Sequence, residues 1–351
     1  MKTLKLLCAF LLLLSLLAGC AVPSANPSDS TPPATTIPAT DPDITDPTQT
    51  DPPITEPPVT EPPVTEPPVT EPPVTEPPVT EPPIIDLPVK GSFKVHFIDV
   101  GQADCALIEC NGEYALIDGG NTDDTELVVD YLAEQDVDRL SLVVGTHYHE
   151  DHIGGLPGIL KAYSADTVWT SAVSYYNGYV NAFLNAAKSY SDELLYPKIG
   201  DTYRLGGATI TMLGPVRTNY EDLNDTSLVL MVTYGKTRFL FTGDMEQIAE
   251  SDLLASGADV KADVLKVGHH GSYSSTSYWF LRAVAPTYAV ISAGGSNDYG
   301  HPHDSTLSQL KNADVVIYRT DQMYSIVATS DGSNISFSWE NIYANPWKPA
   351  A

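Results

Sequence analysis

Residues 146–155 read T-H-Y-H-E-D-H-I-G-G and place His147, His149, Asp151 and His152 within six positions. Imidazole is the commonest metal-ligating side chain, and a carboxylate completes such sites well. His147 and His149 are two apart, so at the end of an extended strand they point the same way. Asp151 and His152 come off the following turn and reach a second position. Two adjacent pairs of ligands suit two cations about 3.5–4 Å apart, the spacing used in two-metal hydrolysis. The plain alternative is a histidine-rich surface loop. Against it, seven of the eight histidines fall in three clusters, His147/149/152, His269/270 and His301/303. Scattered histidines do not collect in this way; the eighth, His96, reads as a strand residue.

Other polar groups sit at the ends of apolar runs. Asp244 closes T-G-D after one such run. A carboxylate there has two oxygens and can serve two cations, and left unpaired in a buried setting it would cost several kcal/mol. The run 262–267 ends in G-H-H-G-S, giving His269 and His270. One of the two is expected to bind the second cation; His270 is favoured, with His269 facing the substrate, but the spacing leaves the choice open. Asp118 ends a strand at D-G-G and reads either as the carboxylate behind a metal-binding imidazole or as a turn cap.

The elements that must position these groups are legible in outline. Strands are predicted over 93–100, 105–109, 114–117 and 140–144, with a helix over 125–134 before the last. A helix over 153–163 follows the histidine cluster, and a further helix is read near 180–190 within the less legible stretch 167–196. Hairpins are read over 201–213, turning at Gly206-Gly207, and over 228–241, turning at Gly235-Lys236. Strands over 262–267, 286–292, 315–318, 324–328 and 335–339 complete the set, with Asp304 capping a helix through 310. Cys105 and Cys110 lie five apart on one strand, so their side chains face opposite ways and no disulfide is expected.

H-x-H-x-D-H after an apolar strand resembles the signature of the metallo-β-lactamase superfamily. More narrowly, the order D-V-G-Q-A-D-C at 99–105, D-G-G at 118–120, N-D-T-S at 224–227, V-G-H-H-G-S at 267–272 and Y-G-H-P-H at 299–303 resembles the hydrolase domain of ComEC-type competence proteins and their stand-alone relatives. The resemblance spans about residues 93–340. It implies a four-layer αββα sandwich with metals at one sheet edge, holding one or two divalent ions, Zn²⁺ or Mn²⁺. His147 and His149 would hold the first ion, Asp151, His152 and His270 the second, and Asp244 both. Asp151, His269, His301, Asn224 and Ser227 form the implied catalytic set. Asn224 and Ser227 would orient water or substrate, and His301 would hydrogen-bond the substrate or protonate the leaving group. Two departures matter. Ala103 and Cys105 replace small residues of the usual opening, so the turn must not need a positive φ at Ala103. Many superfamily members have a third histidine where this chain has Asn224–Ser227, which leaves the first site with fewer ligands and favours weaker binding or a harder ion.

The ends of the chain read differently. Residues 1–20 carry Lys2 and Lys5, a short apolar run over 6–17 and L-A-G-C ending at Cys20, which resembles a bacterial lipoprotein signal. The run is below the roughly 18–20 residues a permanent membrane helix needs. The expectation is cleavage before a lipidated Cys20, giving an extracytoplasmic protein anchored to the bacterial membrane. Residues 21–91 are dominated by Pro, Thr, Asp and Glu, with six T-E-P-P copies at a five-residue period from Thr55 to Thr80. Such a segment does not pack; as polyproline II it would reach roughly 200 Å, a stalk able to contact or cross a cell wall. Residues 92–351 then form the hydrolase domain.

The formal net charge is −27. Residues 91–351 hold 33 acids against 15 bases. Non-specific nucleic-acid binding comes mainly from Lys and Arg, so strong gripping of long nucleic acid is not expected. The expected activity is metal-dependent hydrolysis of a phosphodiester, either a small molecule or the end of a polymer, such as a nucleic acid, a nucleotide or a phosphocholine-type conjugate. A lactam or lactone is the alternative substrate, and a stalked binding protein without turnover the alternative class.

Overall fold

The computed structural model describes residues 91–340. The signal segment with Cys20 and all but the last residue of the repeat linker lie outside the described residues. Among the described residues, no helix is long and apolar enough to cross a membrane.

Strands β1 (Phe93–Phe97), β2 (Ala106–Cys110) and β3 (Glu113–Ile117) are antiparallel neighbours. Helix α1 (Thr125–Glu134) carries the chain back, so β4 (Leu140–Gly145) lies parallel to β3. Helices α2 (Glu150–Ile153) and α3 (Leu156–Tyr163) precede β5 (Ala165–Thr170), and α4 (Gly178–Tyr190) precedes β6 (Ser191–Leu195); both strands add in parallel. Strands β7 (Thr202–Leu205), β8 (Ala208–Gly214), β9 (Val229–Tyr234) and β10 (Thr237–Phe241) make an antiparallel meander. Then α5 (Gln247–Ala255), β11 (Val264–Lys266), α6 (Tyr278–Val284), β12 (Tyr288–Ile291), α7 (Asp304–Asn312) and β13 (Val316–Arg319) continue with parallel pairing. After α8 (Thr320–Met323), strands β14 (Ser325–Ser330) and β15 (Ile335–Glu340) return beside β1.

The result is an eight-stranded sheet, β15-β14-β1-β2-β3-β4-β5-β6, facing a seven-stranded one, β13-β12-β11-β10-β9-β8-β7. Alternation along each strand supplies two apolar faces. Leu142 and Val144 of β4 join the core between the sheets, while Val143 faces the outer helices. In the inner core Phe93 stacks on Tyr234 at 4.8 Å and Phe97 on Phe241 at 5.9 Å. Outside, Val128, Leu132, Ile159 and Phe183 cover the first sheet, and Leu253, Phe280, Val284 and Leu310 the second. Each such buried side chain contributes about 1.5–3 kcal/mol relative to exposure. The layers are helix, sheet, sheet and helix, as the resemblance to the superfamily implies. Cys110 lies between the sheets and Cys105 against the outer helices; both are buried free thiols.

Two local readings change. The helix expected over 153–163 is split into α2 and α3 at Gly154-Gly155. Neither glycine has a positive φ. They are small because backbone approaches there: a Cβ on Gly154 would meet Thr122 N and Glu150 O, and one on Gly155 would collide with Gly119 O. Asp304 does not cap α7; it is the first helical residue, and His303 occupies the cap. Here the acidic group favours the helix start through the dipole. Within the poorly legible stretch, β6 is an edge strand of mostly exposed residues, so no alternating pattern marked it. The turn at Ala103 takes its left-handed residue from Gly101, φ 71°, which leaves Ala103 unstrained.

Candidate metal centre

In α/β proteins, ligands collect beyond the carboxyl ends of parallel strands. Here β4 ends one residue before the histidine cluster, β10 leads to Asp244, β11 to His269 and His270, and β12 to Ser292. The two sheets bring these ends together at one edge. The link is partly backbone: Leu228 N donates to Thr146 O, and His269 N to Gly243 O.

Asp244 is at the middle. Its Oδ2 lies 3.2 Å from His152 Nε2, 3.5 Å from His270 Nε2, 3.9 Å from His269 Nε2 and 4.0 Å from His147 Nε2. Asp151 Oδ2 lies 3.1 Å from His270 Nε2 and 3.9 Å from His152 Nε2. One ligand atom from each of Asp151, His152, Asp244 and His270 falls within 4.8 Å of the others. His147 Nε2 and His149 Nδ1 are 3.0 Å apart, forming a second pair of nitrogens, the first of them 4.0 Å from Asp244 Oδ2.

Each of the central imidazoles is oriented from behind. His152 Nδ1 donates to Asp118 Oδ2 at 2.8 Å, and Asp118 is itself fixed by Thr146 N and Thr146 Oγ1, both at 2.8 Å. His270 Nδ1 donates to Ser292 O at 3.1 Å. Both rings therefore turn Nε2 towards the two carboxylates. The backbone at His269 and His270 is left-handed, φ 48° and 52°, in a conformation costly for non-glycine residues. That turn is what lets consecutive histidines both reach the site.

A divalent cation fits this donor set. His152 Nε2 and Asp244 Oδ1 are buried without a hydrogen-bond partner among the described residues. Such orphaned atoms are expensive unless something meets them. The electrostatics agree. Burial opposes charge on Asp244, yet His152 and His270 hold it well below the carboxylate range. Burial likewise opposes charge on His152 and His270, but Asp244 foremost among the carboxylates pushes both well above normal. The cluster demands positive charge beside its carboxylates, and a cation supplies it while leaving the imidazoles neutral. His147, buried and repelled by His152, is held neutral already, the form that ligates.

The centre opens into a cavity of about 560 Å³, whose lining includes Gln102, Asn224, His269, Tyr299 and His301. His269 Nδ1 lies 2.9 Å from Glu246 Oε1, so its Nε2 faces inward. Glu246 also accepts from Ser274 Oγ at 2.7 Å. His301 is carried on a loop held by Asn297, whose Oδ1 accepts from His301 N at 2.9 Å and whose Nδ2 donates to His301 O at 2.6 Å. Burial and the neighbouring His270 and His269 lower His301 to about 4. Lining the cavity, its ring is placed for either a hydrogen bond to the substrate or a proton to the leaving group.

Ser227 requires a correction. It is fully buried, and its Oγ accepts from Asp244 N at 3.0 Å. It fixes the central carboxylate and does not face water or substrate. Asn224 does reach the cavity. Sequence reasoning passed over Glu246, Gln102, Asp104 and Lys266. Glu246 is two residues beyond Asp244, and Gln102 and Asp104 sit inside the D-V-G-Q-A-D opening, so position relative to the motifs was the available signal.

The family model described as metallo-beta-lactamase superfamily matches residues 98–295, more than half of the chain. This chain belongs to the metallo-β-lactamase superfamily. Within it, the chain falls in the ComEC-like, competence-type group. It is 29% identical to ComE operon protein 3 of Bacillus subtilis over 247 residues, 65% of this chain and 32% of that protein. It is 32% identical to recombination protein 2 of Haemophilus influenzae over 227 residues, 63% of this chain and 27% of that protein. The chain thus spans about a third or less of the length of these relatives. Among solved structures, the metallo-β-lactamase fold protein YhfI from Bacillus subtilis superposes with a TM-score of 0.50 at 16% identity, covering 69% of this chain and all of that one, a likeness of fold.

Proposed function

We propose that this metallo-β-lactamase domain is an extracytoplasmic, metal-dependent phosphodiesterase. The observation that carries the reading is the convergence of Asp151, His152, Asp244 and His270 on one point at the floor of an open cavity. A bound divalent cation lowers the pKa of water from ~15.7 towards ~7 and stabilises charge on the transferred group. The chain's own residues do the rest. Asp118 and Ser292 O fix the tautomers of His152 and His270. Ser227 holds the backbone of Asp244. Glu246 orients His269 towards the substrate space, and His301, linked to Gln102 at 3.3 Å, offers the substrate's oxygens a hydrogen bond or the leaving group a proton. Asn224 and Tyr299 line the way in.

A phosphodiester is favoured over a lactam or lactone because Asn224–Ser227 stands where other superfamily members carry a third histidine. The cavity lining has no Lys or Arg among the described residues, so a small diester or a polymer end suits it better than a long anionic strand held by its backbone. The lipobox-like L-A-G-C at Cys20 and the repeat linker support placement outside the cytoplasm, anchored to the membrane by lipid with the domain on a stalk that can contact the cell wall. The test is hydrolysis of bis-p-nitrophenyl phosphate by the full chain with Zn²⁺ or Mn²⁺, beside nitrocefin. Turnover of the diester alone is expected. Nitrocefin turnover without diester turnover would reverse the substrate class, and neither with metal bound would favour a binding protein.

A further inference from the structure

Beneath the cluster lies a buried ion pair that the catalytic account above does not use. Lys266, the last residue of β11, is only 4% exposed, and its Nζ lies 2.7 Å from Asp104 Oδ2. Asp104 is 5% exposed. Its second oxygen, Oδ1, lies 3.3 Å from His270 Nδ1, a charge contact without a hydrogen bond, since that nitrogen donates to Ser292 O. Asp104 N donates to Asp151 O at 3.1 Å, and Gly120 N donates to Asp104 O at 2.9 Å. Asp104 therefore touches two of the four groups that converge on the cation, one through its side chain and one through its backbone.

A buried ammonium and carboxylate together are weak grounds for stability, because desolvation offsets much of their attraction. A packed apolar pair would serve a core as well. The pair's place, beside His270 and with Lys266 four residues before it in sequence, suits another role. Carboxylates behind a metal-binding imidazole fix its ring and raise its strength as a ligand. Asp118 does this for His152. Asp104 and Asp118 approach one another closely enough to share a cluster with His152, and the small cavity between them, about 10 Å³, is lined by Lys266. That volume is about the size of one water. Without Lys266 the buried Asp104 carboxylate would lose its ammonium partner while still close to Asp118.

We infer that Asp104 and Lys266 are positioning residues for the metal centre: Asp104 backs the His270 ring with negative charge while its backbone holds Asp151, and Lys266 holds Asp104 in place. The inference rests on the metal-centre reading but not on the substrate. The experiment compares full-length wild type with Asp104→Asn, Lys266→Met and the double variant. Zn²⁺ affinity is read by competition with a chromophoric chelator, ligand geometry by the visible spectrum of the Co²⁺ form, and thermal stability alongside. Asp104→Asn is expected to weaken ion binding about 10–100-fold and shift the Co²⁺ spectrum. The double variant is expected to regain stability relative to Lys266→Met without regaining affinity. Should Lys266→Met fail to fold, the other two variants decide. Wild-type affinity and spectrum in Asp104→Asn, or recovery of affinity together with stability in the double variant, would reduce the pair to a structural one. Wild type that binds no ion would instead overturn the centre itself.

Discussion

Replacing Asp118 by Asn tests the orientation of His152 with almost no change of shape. Asp118 accepts three hydrogen bonds, from Thr146 N, Thr146 Oγ1 and His152 Nδ1, each at 2.8 Å. An Asn can keep its oxygen on Thr146 N, but its NH₂ then faces Thr146 Oγ1 and His152 Nδ1. The hydroxyl can rotate to accept. The imidazole can accept on Nδ1 only by moving its proton to Nε2, the atom 3.2 Å from Asp244 that must coordinate the ion. Turning the amide over instead leaves two N–H donors, Thr146 N and the NH₂, opposed in a fully buried place. Losing such a partner costs about 10–100-fold in metal affinity, or roughly 1.4–2.8 kcal/mol. The assay is Zn²⁺ and Mn²⁺ competition titration of wild type and Asp118→Asn, with circular dichroism to confirm folding. A folded Asp118→Asn protein with wild-type affinity for both ions would refute the reasoning, since the tautomer would then not govern the site.

Other expectations follow from the same geometry. Gly155→Ala drives a Cβ into Gly119 O; it should cost roughly 1–3 kcal/mol, about 2–12 °C in Tm, and an unchanged melting curve would show that the two turns are not in contact. Glu250 is buried, and although Ser277 N and Thr276 N donate to it, burial raises its carboxyl to about 7. Below pH 4.5 the group is protonated in both states; as pH rises to about 7 only the unfolded chain releases the proton, so stability falls across that window by up to about 3 kcal/mol. Urea unfolding at pH 5 and 8 should show a smaller drop for Glu250→Gln than for wild type, whatever its absolute stability; an equal drop would acquit Glu250. Tyr299, 69% exposed at the cavity mouth, should raise KM for an aryl diester several-fold when changed to Ala, with kcat kept; a fall in kcat alone would place it in the chemistry.

Much of this was readable in the chain because the informative residues sit where apolar strands stop. The alternation of Leu142, Val143 and Val144 announces a strand buried on both faces, and a strand that ends in His147, His149 and His152 announces its chemistry. Asp244 and the His269-His270 pair are legible for the same reason. What was not legible depends on contacts between distant segments. Ser227 reads as a free hydroxyl until Asp244 N is seen to use it. Gly154 and Gly155 stand inside a stretch read as one helix, whereas they are small, and the helix breaks there, because Gly119 and Thr122 press against them. Lys266 reads as one more strand-end cation, and only folding buries it against Asp104. Edge strand β6 had no buried face to write a period into its sequence.

The central claim is that side chains far apart in sequence form one cation-binding centre. Metal content of the purified full chain, measured after equilibration with Zn²⁺ or Mn²⁺ and removal of excess, tests it most directly. One or two ions per wild-type chain are expected, with the ion at Asp151, His152, Asp244 and His270 lost in the Asp244→Asn/His270→Ala double variant. A wild-type protein without bound metal, or a double variant retaining the full complement, would contradict the account.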